Sequence, residues 1–425
     1  MSRRPLSLSI YALAARALSP LAPALLRARA QAGKEDASRL GERLGRASLA
    51  RPEGRLAWLH GASVGESLSL LALADRLRAE RPAVTVLVTS GTRAAAELLA
   101  ERLPAGALHQ YAPVDTPGAV ARFLGHWRAD LVVIAESELW PNLILGAKAR
   151  GARLALVSAR LSPASLRRWR RAPRAAGALF GAFDLVLARD RDAADGLRAL
   201  GARVDGVADM KLAAQPLPVD EGELARLRAA IGGRPVILAA STHDGEETLI
   251  LERFAQITKD ERFKPLLIVA PRHVDRGVEI ERLATGLGFA APRRSAGADW
   301  LGAAEVYVAD TVGELGLWYR LAGLAVLGGS LVPGVGGHNP LEPARLGCAF
   351  VVGPHTENWP LYGALEAEGA SARVAAPGEL DRYFRDLLEA PAALAAMAGK
   401  ARAHVAALDA EARETTARVL ALIGP

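Results

Sequence analysis

The feature that most constrains this chain is a rhythm that begins near residue 50. Short, nearly continuous apolar runs alternate with Ala/Leu/Arg-rich stretches of helical character. A strand apolar on every residue must be covered on both faces, and a helix between successive strands makes them parallel. The first series reads LAWLH (56–60), VTVLVTS (84–90), LVVIAES (131–137), RLALVSAR (153–160) and LVLA (185–188). The second reads VILAAS (236–241), PLLIVAPRH (265–273), VYVAD (306–310), LAVLGGS (324–330) and AFVVG (349–353). Between them AAQPLPVDEGEL (213–224) is polar and contains proline, which suits a linker. No repeat of 20–50 residues is present. The expected fold class is therefore α/β, with two Rossmann-like domains facing a cleft. Residues 31–212 form the first and 213–425 the second, and the last helix is free to return to the first. A chain of 425 residues is long enough for two such cores.

Residues 3–30, RRPLSLSIYALAARALSPLAPALLRARA, lack this rhythm. They are apolar, but Arg16 divides them, and Pro20 and Pro23 are expected to interrupt a helix before it reaches spanning length. Three readings stand. The stretch is a monotopic anchor with Arg3, Arg4, Arg27 and Arg29 at the headgroups, a single span, or a cleaved signal peptide. The single cysteine, Cys348, excludes an internal disulfide and a cysteine-built zinc site. The formal charge of +7 points to anionic partners: nucleic acid, lipid or phosphorylated substrates. Aromatic residues at 5% supply little for base stacking, so nucleic acid is set aside.

In parallel sheets ligands sit beyond the carboxyl ends of the strands. The first strand runs into HGASVGES (60–67), where Gly61 and Gly65 permit a tight turn and Glu66 falls at a helix start. Glu66 is either a first-turn acid favoured by the macrodipole or a general base. AESELWPNL (135–143) crowds Glu136, Glu138 and Trp140 at another strand end. In the second half STHDGEE (241–247) and PRH (271–273) follow strands, and the latter places Arg272 and His273 at a ligand-binding edge. VADTVGEL (308–315) contributes Thr311, Gly313 and Glu314. LGGSLVPGVGGHNPLEPA (327–344) is a glycine loop feeding a helix with Asn339 as N-cap and Pro340 at its first position, a pattern suited to phosphate. Glu342 either closes a capping box or accepts from ribose hydroxyls.

Several chemistries lack their patterns. No G-x-G-x-x-G opens the first strand and no GxxxxGK[ST] occurs. The histidines show no metal-ligand spacing. Asp190 and Asp192 form a D-x-D, but one that leads into a helix and reads as capping.

Taken in order, HGASVGES, SGT (90–92), YAPVDTP (111–117), AESELWPN, VSARLS (157–162), STHDGEE, PRH, DTVGEL, GGHNPLEPA and GPHTENW (353–359) resemble the transferases of 3-deoxy-D-manno-octulosonic acid (Kdo). The match runs from about residue 40 to beyond residue 360. The resemblance implies a GT-B fold, an N-terminal anchor on the cytoplasmic face of a bacterial inner membrane, and inverting transfer of Kdo from CMP-Kdo to a lipid A precursor. No metal and no cofactor are expected, since no ligand cluster is apparent and a monophosphate leaving group needs less charge neutralisation than a diphosphate. Glu66 would be the base. Glu136 and Lys211 would act in the transition state, although GVADMKLAA (206–214) lacks the family's aromatic and Asp beside the Lys. CMP contacts would fall on Pro271 and Arg272, on Val312, Gly313 and Glu314, and on Asn339, Pro340, Leu341 and Glu342. The chemistry suits these types: a carboxylate takes the acceptor proton and Arg272 meets the leaving phosphate. The basic run RRWRRAPR (167–174) is either a solvated helix or a contact for acceptor phosphates. Two rivals are a GT-B transferase using a UDP-sugar on another lipid or glycan, and a non-enzymatic nucleotide-binding protein at the membrane.

Overall fold

The computed structural model describes residues 5–210, 216–260, 262–297 and 304–424. The chain divides into two compact units. One comprises Met1–Gln215 with Asp409–Pro425, and the other Pro216–Leu408.

The first unit holds a parallel sheet of seven strands: β1 (Leu56–His60), β2 (Thr85–Ser90), β3 (Leu108–Tyr111), β4 (Leu131–Ala135), β5 (Arg153–Ala159), β6 (Leu185–Ala188) and β7 (Gly206–Val207). Their order in the sheet is β3-β2-β1-β4-β5-β6-β7. The alternating side chains of each strand enter two separate cores. Leu56, Trp58, Val132, Ile134 and Leu156 pack with Phe123, Trp127 and Phe180 on one face. Ala57, Leu59, Leu131, Val133 and Val157 pack with Leu70, Leu73 and Leu77 on the other. This double coverage is why the strands are apolar on consecutive residues. Each buried Leu, Ile or Val contributes about 1.5–3 kcal/mol.

The second face is completed from the far end of the chain. The helix Pro391–Ala421 begins in the second unit, and residues from Asp409 onward belong to the first. Val419, Leu420 and Ile423 are buried in the core behind β1 and β2. Arg55 and Arg81 donate to the carbonyls of Ile423 (2.6 Å) and Gly424 (3.3 Å).

The second unit holds six parallel strands: β8 (Val236–Thr242), β9 (Leu266–Pro271), β10 (Val306–Val308), β11 (Leu324–Leu327), β12 (Ala349–Val352) and β13 (Ala372–Arg373), in the order β10-β9-β8-β11-β12-β13. Each sheet thus reverses direction once, between β1 and β4 in the first and between β8 and β11 in the second. Such switch points open a crevice at the carboxyl ends of the strands.

The N-terminal stretch differs from expectation. Leu6–Leu18 and Ala22–Gln31 are α-helical and a 3-10 turn, Ser19–Leu21, joins them, so helical structure runs from Leu6 to Gln31. Both prolines lie in the opening turn of a new helical segment, where a missing N–H leaves no bond unmade, so neither breaks the helix. The 26 residues are long and apolar enough to cross a membrane, by length and composition alone. Leu6, Ile10, Leu13, Leu18, Leu21 and Leu25 are 57–77% exposed, whereas Leu8 and Leu26 are buried. Tyr11 donates a 2.9 Å hydrogen bond to Asp115, whose carboxylate also accepts from the N–H groups of Asn142 and Leu143.

Candidate active site

In the first unit three candidate carboxylates, Glu66, Glu136 and Glu138, follow the strands at the switch point. The helix Val64–Glu80 follows β1, with Ser63 as its N-cap. Glu66 and Ser63 form a reciprocal capping box: the Glu66 N–H donates to Ser63 Oγ, and Glu66 Oε2 accepts from the N–H groups of Ser63 (3.1 Å) and Ala62 (2.6 Å). Gly61 lets this turn close, because a Cβ there would lie 2.9 Å from Glu66. Only one carboxylate oxygen is spent on the cap, and Oε1 accepts no hydrogen bond among the described residues. Glu66 is buried, and its pKa is raised by desolvation and then by the negative charges of Glu138 and Glu136, against the pull of the two N–H groups. Capping and proton acceptance are therefore compatible roles for one side chain.

Glu136 follows β4 directly, with φ at 52°. A non-glycine residue in this left-handed region marks a strained turn of a kind common at functional sites. Its N–H pairs with the Val157 carbonyl (2.9 Å), and its buried Oε2 accepts from Arg160 (2.6 Å). Glu138 accepts from Trp140 Nε1 (2.7 Å) and lies 3.8 Å from Nε2 of His60, the last residue of β1. Burial opposes ionisation of Glu138, but His60, the Trp140 N–H and Arg43 together hold it below the usual carboxylate range. His60 is fixed in turn by a 2.9 Å contact to Thr89 on β2. The motif HGASVGES contained His60 and Glu66 together, but only the strand pairing shows that His60 meets Glu138.

Lys211 lies outside the described residues. Its predecessor Met210 donates its N–H to Oγ of Ser158 (2.8 Å), itself at φ 49°. Glu42, a further acid in this half, is consumed by structure: its carboxylate accepts from Arg39, Ser48 and the N–H of Tyr111. Asp190 is a helix N-cap, accepting from the Ala193 N–H at 2.8 Å. The basic run lies on and after the helix Pro163–Arg170, which has no buried residue.

In the second unit Pro271 ends β9 and Arg272 is exposed just beyond it, its N–H bound to the Thr242 carbonyl at 2.9 Å. Val312 and Gly313 form an exposed turn after β10, with Gly313 at φ 89°. Glu314 is committed to Arg294 (2.6 Å) and to Thr311. The glycine loop after β11 leads to a helix that begins at Leu341, so Pro340 and not Asn339 occupies the cap. Asn339 Oδ1 instead accepts from the Leu341 N–H at 3.0 Å, and its amide reaches Glu342 at 3.3 Å. The expected cap is displaced by one residue, because the side chain of Asn339 closes its own turn before the helix starts. Burial raises the pKa of Glu342, opposed by Asn339, Arg272 and Arg345. Arg272 thus shares surroundings with Glu342, while Val312–Glu314 sits beyond β10 at the sheet edge.

One residue in this half escaped sequence reasoning. Glu246 is fully buried and accepts four backbone N–H groups: His243 (2.9 Å), Gly329 (2.7 Å), Ser330 (3.0 Å) and Leu331 (2.8 Å). It ties the loop after β8 to the glycine loop after β11. Its spacing of three from His243 is that of a capping box.

Comparison with known proteins identifies the family and the fold. Residues 38–214 match the family described as 3-Deoxy-D-manno-octulosonic-acid transferase (kdotransferase). The chain is similar to the 3-deoxy-D-manno-octulosonic acid transferase of Bordetella pertussis, with 34% identity over 96% of this chain and 97% of that one. It is also similar to the probable mitochondrial 3-deoxy-D-manno-octulosonic acid transferase of Arabidopsis thaliana, with 34% identity over 80% of this chain and 77% of that one. Among solved structures, a glycosyltransferase from Rickettsia africae shares the fold at 11% identity, with a TM-score of 0.54 over 88% of this chain and 100% of that one.

Proposed function

Because the chain belongs to the 3-deoxy-D-manno-octulosonic acid transferase family and is a glycosyltransferase of GT-B fold, we propose that it transfers Kdo with inversion from CMP-Kdo to a lipid A precursor, with Glu66 as general base. The observation that carries this reading is the Glu66 carboxylate: buried, raised in pKa, and with one oxygen uncommitted among the described residues beyond a strand end. A base whose pKa moves up toward the working pH accepts a proton more effectively.

The chemistry explains the rest. The anomeric carbon of Kdo is quaternary and carries a carboxylate, so its transition state resembles an oxocarbenium ion. The acceptor hydroxyl attacks this carbon and gives its proton to Glu66. Glu136 supplies negative charge to the same strand-end cluster, held in place by Arg160. Lys211 is assigned alongside it on the family motif. CMP departs as a phosphate monoester, and the second charge appearing on it is met by Arg272. Pro271 shapes that turn, Val312–Glu314 and Asn339–Glu342 hold the nucleoside, and Glu342 suits a ribose hydroxyl. The reading needs no metal.

The exposed apolar stripe of Leu6–Gln31 is assigned to the cytoplasmic surface of the inner membrane, where a lipid acceptor resides. Incubation with CMP-Kdo and a tetraacyl lipid A precursor, read by mass spectrometry, should show the acceptor gaining the mass of Kdo. Turnover with a UDP-sugar and none with CMP-Kdo would overturn the assignment.

A further inference from the structure

Three histidines in the second unit, His243, His273 and His338, have no part in the donor contacts above. Nε2 of His243, after β8, lies 2.9 Å from Nε2 of His338, in the glycine loop after β11. The two rings are nearly parallel, 10° apart with centroids at 5.1 Å, and His273 meets His243 edge-on at 5.9 Å. Two imidazole nitrogens this close hold one proton between them, since two N–H groups would clash and two lone pairs would repel. In the neutral pair one Nδ1 carries hydrogen and the other is bare. A further proton fills the bare Nδ1. In the singly charged pair the Nδ1–H of His338 is spent on the Ser241 carbonyl and that of His243 is left to meet an anion, while the shared proton stays between the Nε2 atoms.

The fold holds the pair from both sides. The Glu246 carboxylate binds the His243 N–H and the Gly329 N–H, so both histidine-bearing loops hang from one buried group. Gly329 has φ at 66°, and a Cβ there would lie 3.1 Å from His338 Nε2 and 2.6 Å from Val335.

Burial first, and then the positive charges nearby, keep the pair neutral when no anion is present. Burial lowers the pKa of His243; Glu246 opposes this, while His273, Arg272 and Arg276 add to it. Burial, His243 and Arg272 bring His338 down to about 4, against the Ser241 carbonyl. Arg276 is itself paired with Asp244, Glu247 and Glu279, and Glu342 lies near Arg272. Arg272 makes no ion pair among the described residues, and it lies with the three histidines on loops at the carboxyl end of the sheet.

From this arrangement we infer that His243 and His338 form a proton-coupled seat for the phosphate of the nucleotide, neutral without it and singly charged once a phosphate monoester dianion lies against the pair. The inference rests on the CMP-Kdo reading. In the donor the phosphate is a diester with one negative charge. When the bond between the anomeric carbon and the phosphate oxygen breaks, its electron pair stays on that oxygen and the second charge appears. The acceptor's proton goes to Glu66, and the proton taken up by the pair comes from water. The pair's pKa rises in the complex, so its contribution to binding is full below the pKa of the free pair and disappears as pH rises through that of the complex.

The test is calorimetric titration of the full-length protein, wild type and H243Q, with CMP and with cytidine, from about pH 6 to pH 8. The second ionisation of CMP itself is common to both proteins, so the ratio of their dissociation constants isolates the histidine. Wild type should bind CMP about tenfold more tightly than H243Q at the acid end, with the ratio falling toward one at the alkaline end. H338Q should flatten the profile in the same way, and cytidine affinity should be unchanged in both variants. A ratio independent of pH, or an equal loss for cytidine, overturns the inference and leaves the donor assignment intact. Failure of the wild type to bind CMP at all overturns the donor assignment, and this inference with it.

Discussion

Replacing Glu66 by Gln separates the cap that this carboxylate forms from the base proposed for it. The cap rests on Oε2, which takes two backbone N–H groups at 2.6 and 3.1 Å. An amide oxygen can occupy that place and keep both bonds, and Gln serves a capping box as Glu does. The two bonds lose their charge assistance, at about 0.5–1.5 kcal/mol each. Against this, E66Q removes a buried charge that is repelled by Glu138 and Glu136. The net change in stability should stay within about 1 kcal/mol, whereas loss of the base should lower the transfer rate by about 10²–10⁴-fold. Thermal unfolding, CMP titration and single-turnover transfer on the same preparation measure all three quantities. In the wild type, kcat/KM should rise with pH through a pKa above the ordinary carboxylate value, because ionised Glu66 is the active form and its pKa is raised. E66Q should lack that limb. Near-normal turnover in E66Q, or a rate loss matched by collapse of the unfolding transition, would refute the reasoning.

Two further outcomes follow from the geometry. E246Q turns an NH2 toward two of four buried N–H donors, so about 3–6 kcal/mol of stability should be lost; urea unfolding within 1 kcal/mol of wild type, on the order of measurement error, would contradict this. Serine at Leu6, Ile10, Leu13 and Leu25 should reduce sedimentation with anionic vesicles while leaving unfolding unchanged, since these side chains are already exposed; unchanged vesicle binding would deny the stripe its role.

What was legible in the sequence depended on how local its cause is. Ten strands announced themselves as apolar runs. Leu108–Tyr111 did not, because His109 and Gln110 interrupt its apolar character, and Gly206–Val207 and Ala372–Arg373 are too short to form a run. These three lie at or beside sheet edges and are defined by their neighbours' hydrogen bonds. The prolines at 20 and 23 were read as helix breakers because residue type alone does not show that each opens a new helical segment. At Glu66 both readings were visible, and the capping box satisfies the first without consuming the second oxygen. The contact of His243 with His338 spans 95 positions, and no spacing rule connects them. Only the order of β8 and β11 in the sheet brings their loops together. Glu246 was hidden for the same reason, since three of its four donors come from a loop more than eighty residues away.

The return of the last helix to the first unit sets a timetable for biosynthesis. A ribosome completes β1 through β7 long before Val419, Leu420 and Ile423 emerge, yet those three side chains close the core behind β1 and β2. The earlier-made half must therefore wait, with an apolar face uncovered, while the whole second unit is synthesised and folds. A fragment ending at Gln215 would remain in that waiting state, and a nascent chain stalled there is the species a chaperone would be expected to hold.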